Sequence, residues 1–155
     1  MKKIAKFEKI SYEIFENAMM AFCPEIKNVK KIYEEIKLPR RERAGVAGYD
    51  FFAPFNIKLK PNQTIMIPSG IKCEMLANWV LVISPRSSMG FKYRLQLDNT
   101  VGIIDSNIES GHTNGQIIIK ITNDSKEKVI AEIRKGQGFV QGVFLEYGIT
   151  YDDNF

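Results

Sequence analysis

Beyond Arg43 the spacing of apolar residues changes from a period near 3.6 to a period of 2, and this change constrains the fold more than any other feature of the chain. Short β-rich runs follow one another over residues 49–53, 64–67, 79–84, 101–104, 116–122, 128–133 and 139–145. Pro54, Pro61-Asn62, Pro68-Ser69-Gly70, Gly102, Gly111, Asn114-Gly115, Asn123-Asp124 and Lys135-Gly136 punctuate them, at the roughly 8 to 12 residue spacing of an all-β sandwich or barrel. Ahead of the change, Tyr12, Phe15, Met19 and Phe22 share one helix face behind Ser11 as N-cap, and Pro24 ends that helix. Ile26, Val29, Tyr33 and Ile36 repeat the spacing up to Pro39, which predicts a second short helix. The expected organisation is a helical pair over residues 1–43 packed on a β body over residues 44–155, as one domain overall, with residues 37–47 as the joint. A chain of 155 residues is long enough to bury such a core without disulfides or a structural metal.

Composition excludes several kinds of function. No apolar run approaches the ~20 residues that span a bilayer, and the basic start leads into a charged segment instead of a signal-peptide core, so the expected location is cytoplasmic, away from membranes. Cys23 and Cys73 are far apart with no CxxC spacing, which predicts idle buried thiols. His112 is the single histidine and falls in a polar, loop-like stretch. A His/Cys metal cluster is therefore excluded, and catalysis has to run on carboxylates and hydroxyls. Residues 1–43 carry eleven Lys/Arg against seven Glu, whereas residues 44–155 carry eleven of each sign. A neutral body argues against binding a nucleic-acid polymer, and the basic run 37–43 is expected to be a solvated linker.

Three segments are too polar for their place between apolar strands. In AGYDFFAP (47–54) a single acid, Asp50, interrupts a buried strand and needs a partner, because an unpaired buried carboxylate costs several kcal/mol. In PRSSMGFK (85–92) a guanidinium, two hydroxyls and Lys92 cluster on an expected loop at a strand end, a donor set suited to phosphate oxygens. In NTVGIIDSN (99–107) an apolar strand delivers Asp105 at its end, where a carboxylate can take a proton from water. Each has an ordinary structural alternative: backbone-bonded Asp50, a surface turn, a turn-initiating Asp105.

Together and in this order these segments, with KGQGFVQGVF (135–144), resemble the four motifs of the trimeric dUTPase family, particularly its bacterial and phage members with a helical N-terminal extension. The resemblance implies a jelly-roll β-barrel assembled as a homotrimer with sites between subunits. It implies hydrolysis of dUTP to dUMP and pyrophosphate with Mg²⁺ held largely by the triphosphate. Asp105 matches the general base. Asn99 matches the residue that reads the uracil edge, on the same motif as Gly102. Arg86 and Ser87 match the phosphate-binding pair, with Ser88 beside them. Gln141 matches the fourth-motif glutamine near the phosphates, and Asp50 the first-motif acid near the metal's outer shell. Ile108 stands where the family has a tyrosine under the sugar, so discrimination against ribose is expected to loosen. No glycine-rich arm resembling GGFGSTG occurs up to Phe155: either the sequence is shortened or the protein lacks the arm, and in the second case turnover is expected to be slow. Two other functions remain open from sequence. A related dCTP deaminase would need an acid where Lys120 stands; a nucleotide-binding regulator would use the N-terminal helices on a protein partner.

Overall fold

The computed structural model describes residues 1–106 and 114–155. In chain order they form β1 (Ala5–Lys9), α1 (Tyr12–Phe22), α2 (Val29–Glu34), β2 (Tyr49–Phe52), β3 (Ile57–Leu59), β4 (Thr64–Pro68) and β5 (Ile71–Met75). There follow β6 (Trp79–Pro85), α3 (Ser87–Tyr93), β7 (Leu95–Leu97), β8 (Gly102–Ile104), β9 (Ile118–Asn123), β10 (Ala131–Ile133) and β11 (Gly138–Glu146). Every pairing is antiparallel. The strands form a four-stranded sheet in the order β2-β11-β6-β8, a three-stranded sheet β4-β9-β7, and the pairs β1-β5 and β3-β10. The result is a mainly β fold of jelly-roll type. No helix among the described residues is long and apolar enough to cross a membrane.

Alternation on the four-stranded sheet decides what faces the core. Phe51, Leu81, Ile83 and Val140 are buried and join Ile67, Leu95, Ile119 and Ile121 of the other sheet in one apolar cluster. The opposite face, by register, carries Val82 beside Ile103 and Val143, and Val80 beside Leu145. Ile103 is 54% exposed and Leu145 49%. A sheet apolar on both faces is normally covered on both.

Each of the seven expected β runs contains a strand, although four are shorter: β2 ends at Phe52, β8 starts at Gly102, β9 starts at Ile118, and β10 only at Ala131 because Lys128 takes a left-handed turn at φ 56°. Four strands were not legible. β3 and β7 have three residues each, too few for a period to register. β5 alternates cleanly but follows directly on the turn signals at 68–70, and β1 has Phe7 between charges and exists through its pairing with β5. Both helices of the N-terminal pair form, α2 over a shorter span than 26–36. Ser11 Oγ accepts from the Ile14 amide, and Phe15 and Met19 are fully buried.

Two expectations are corrected. The segment 85–92 is not a loop: the chain leaves β6 at Pro85, Arg86 stays extended as N-cap, and Ser87 opens α3. Met89 and Tyr93, four residues apart, bury one face of that helix, which gives a short segment its reason to be helical. The basic run 37–43 is not simply solvated. Arg40 and Asp50 exchange backbone hydrogen bonds, Arg41 donates to the Val46 carbonyl, and the two guanidiniums lie over the rings of Phe52 and Tyr49. Arginine stems with planar heads can cover apolar rings and keep their charge wet, which sequence spacing does not reveal.

Candidate active site

Three neighbouring strands aim the predicted phosphate ligands at one cleft. The register places Asp50 of β2 opposite Gln141 of β11, and Gln141 opposite Ser84 of β6, so all three point to the outer face of the sheet. Two residues past Ser84, Arg86 is fixed by its amide, which donates to the Phe139 carbonyl at 3.1 Å. Asp50, Arg86, Ser87, Ser88 and Gln141 then line a cleft of about 310 Å³, with Glu42 at its edge. Asp50 finds the partner its burial requires: its Oδ1 lies 3.3 Å from Arg86 Nε, and its side chain is 15% exposed.

Two glycines make this convergence possible. A Cβ on Gly138 would sit 2.7 Å from Arg86 Nη1 and 3.5 Å from Asp50 Cβ; one on Gly48 would sit 2.5 Å from Gln141 Oε1. A side chain at either position would displace the Arg86 guanidinium or the Gln141 amide from where they now lie. Sequence reasoning missed Gly48, Gly138 and Glu42 as parts of the site. The glycines lay inside quoted motifs, yet only the strand register reveals what they face, and Glu42 carried no signal within a mixed charge run.

The third motif is split from this cleft. Asn99 lies in the turn between β7 and β8, where Thr100 adopts φ 68° and the Val101 amide donates to the Asn99 carbonyl at 2.7 Å. Gly102 packs on Ile83, with room for a Cβ only 3.2 Å from Ile83 Cβ. Asp105 follows β8 and is exposed. The register ends with Ile104 opposite Leu81; carried one residue further it would set Asp105 level with Val80, on the outer face with Asp50 and Gln141. Val80 and Arg86 are six residues apart on one extended run, so Asp105 and Arg86 of one protomer are separated by roughly 20 Å. Ile108 and His112 lie outside the described residues.

Elsewhere, a hollow of about 430 Å³ involves Glu35, Lys37 and Lys135, and a groove of about 800 Å³ runs past Phe7, Tyr49 and Trp79. Neither gathers the predicted set. Burial pushes the thiols of Cys23 and Cys73 up to about 11 and about 12, so near neutrality neither supplies a thiolate nucleophile. Among the described residues no cluster of three or more His, Cys, Asp or Glu is placed to hold a metal.

A jelly-roll β fold whose cleft gathers a guanidinium, two hydroxyls and an amide beside a carboxylate suits a class of proteins that bind phosphate groups. Comparison with known proteins specifies the family. The dUTPase family model matches residues 34–152. The deoxyuridine 5'-triphosphate nucleotidohydrolase of Lactococcus lactis subsp. lactis is 35% identical over 119 residues, spanning 76% of this chain and 78% of the relative. That of Thermoanaerobacter sp. is 35% identical over 114 residues, 71% of each chain. Among solved structures, the dUTPase from Streptococcus mutans superposes with a TM-score of 0.68 at 27% identity, covering 93% of this chain and 97% of the other. A mutant dUTPase from phage phi11 of S. aureus shares the fold at a TM-score of 0.69 and 16% identity, covering 99% and 97% of the two chains. The chain belongs to the dUTPase family, and so to the dUTP diphosphatases.

Proposed function

We propose that the protein hydrolyses dUTP to dUMP and pyrophosphate with Asp105 as general base, in sites completed between the protomers of a homotrimer. The observation that carries this reading is the arrangement of the outer sheet face: Asp50 and Gln141 at one end, Asp105 at the other, and the half-exposed apolar strip of Val80, Val82, Ile103, Val143 and Leu145 between them. One protomer keeps its base too far from its own cleft. A second copy packed against the strip would bring its Asp105 to the first copy's Arg86 and bury apolar surface at the same time.

The chemistry then needs no histidine. Asp105 takes a proton from the water that attacks the α-phosphorus; the bond to the bridging oxygen breaks, and pyrophosphate leaves with that oxygen. Arg86 offers a planar fork to phosphate oxygens, and Ser87, Ser88 and Gln141 add neutral donors. The charges lining the cleft are one guanidinium against the carboxylates of Asp50 and Glu42. Glu42 is 62% exposed and paired with Arg43 at 3.4 Å, so Asp50, beside Arg86, is the carboxylate that would hold a Mg²⁺ carried by the triphosphate, indirectly. When bound, Mg²⁺ supplies charge neutralisation for the phosphates.

Asn99 presents both a donor and an acceptor, as an imide edge requires, and a tight turn excludes thymine by leaving no space for its methyl group. Ile108, which matches the family tyrosine by sequence, is the residue that would loosen rejection of the ribose hydroxyl. The test is pyrophosphate release from dUTP, dCTP, dTTP and UTP, with and without a magnesium chelator. We expect dUTP far above dCTP and dTTP, measurable turnover of UTP, and loss of activity on chelation. Equal rates across the bases would overturn the specificity, and strict rejection of UTP would remove the role of Ile108.

A further inference from the structure

Lys120, the cation found where a deaminase would carry an acid, has an unexpected neighbour. Its Nζ lies 3.1 Å from Asp98 Oδ2, and its backbone carbonyl accepts from the Asp98 amide, also at 3.1 Å. The other carboxylate oxygen of Asp98 accepts from Thr122 Oγ1 at 2.5 Å. Thr122 Oγ1 is in turn 2.6 Å from Thr64 Oγ1. A hydroxyl has one proton, so with Thr122 donating to Asp98, Thr64 donates to Thr122. Side chains of β4 and β9 thus converge on the residue just past the end of β7. These hydrogen bonds hold the Asp98 carboxyl below the usual carboxylate range, first through Thr122 and then through Lys120, so it stays ionised.

What the clamp holds is a strained turn. Thr100 is β-branched and sits at φ 68°, a region such residues seldom enter, and the Val101 amide closes back on the Asn99 carbonyl. Strain of this kind persists only where the surroundings over-determine the backbone. On one side the turn is set by Gly102 pressed on Ile83. On the other it is set by Asp98, which immediately precedes Asn99.

We infer that Asp98, held by Lys120 and Thr122, is a positioning residue that fixes the aim of the Asn99 amide and so sets the discrimination between uracil and cytosine. The inference rests on Asn99 reading the base. Asp98 itself touches no substrate. Its loss lets the turn relax, which weakens selection by the base edge while leaving the phosphate cleft and Asp105 intact.

The experiment measures kcat and KM for dUTP and dCTP in the wild type, Asp98→Ala, Lys120→Met, Lys120→Arg and Asn99→Ala, with a melting curve for each. For Asp98→Ala we expect the ratio of kcat/KM for dUTP over dCTP to fall roughly tenfold, mainly through KM for dUTP, with kcat for dUTP within about threefold of wild type. Lys120→Met should move the same way by less, and Lys120→Arg, which keeps the cation, should restore selectivity. A selectivity ratio unchanged in Asp98→Ala while Asn99→Ala abolishes it would overturn the positioning role alone. Unchanged selectivity in Asn99→Ala would overturn the base-reading assignment and this inference with it. Should Asp98→Ala melt too early to assay, Lys120→Met decides: selectivity lost at an unaltered melting temperature supports the clamp, and selectivity retained refutes it.

Discussion

Asp105 and Gly138 represent opposite kinds of site residue, one defined by its chemistry and the other by its lack of a side chain. Asp105→Asn keeps the size but replaces one basic oxygen with a donating NH2, so it should bind dUTP in calorimetry while hydrolysis falls by about 10² to 10⁴. Full activity in that variant would remove the base assignment. Gly138→Ala places a methyl 2.7 Å from Arg86 Nη1, so either the guanidinium or β11 has to shift. A displacement near 1 Å in a phosphate ligand should lower kcat/KM roughly a hundredfold, and a melting curve close to wild type would locate the effect in the site. Asp50 and Asp105 stand out in sequence because an acid within or at the end of an apolar strand needs an explanation, and Arg86 because it falls in a cluster of donors. Gly48 and Gly138 do not, because their importance is a distance to a residue on another strand.

At the level of elements, the long strands β6 and β11 were legible because both carry sustained β-rich apolar runs. The three-residue strands were not, since their hydrogen bonds come from partners distant in sequence: β3 from β10 and β7 from β9. α3 was masked by its composition, as Ser-Ser and Gly90 suggest a turn until the burial of Met89 and Tyr93 is known. The N-terminal helices make a different prediction. Phe15 is fully buried, meets the Tyr33 ring at 5.7 Å, and would lie 3.2 Å from a Cβ on Gly70 of the turn before β5. Phe15→Ala should cost about 3–5 kcal/mol. If helices and barrel form one domain, helical circular dichroism and Trp79 fluorescence should shift together to a single lower urea midpoint. Loss of the helical signal alone would mean that residues 1–43 unfold as a separate unit.

For the whole molecule, the proposed assembly rests on the sheet face between Asp50 and Asp105. The inner face of that sheet includes Leu81 and Val140, both fully buried, while the outer face leaves Ile103 and Leu145 half exposed in a continuous apolar strip. Sequence alternation does not separate the two, because strands buried on both faces are apolar at every position. The split between Arg86 and Asp105 follows from the same geometry, and it was visible only in the strand register. The central claim is that each site takes its phosphate cleft from one protomer and its base from another. Its most direct test is to unfold and refold Arg86→Ala together with Asp105→Asn and to measure pyrophosphate release from dUTP. Shared sites predict that the mixed oligomers recover activity that neither parent has, since some sites then contain both native residues. If each protomer supplied its own base, every site would still carry one lesion, and a mixture as inactive as its parents would contradict the account.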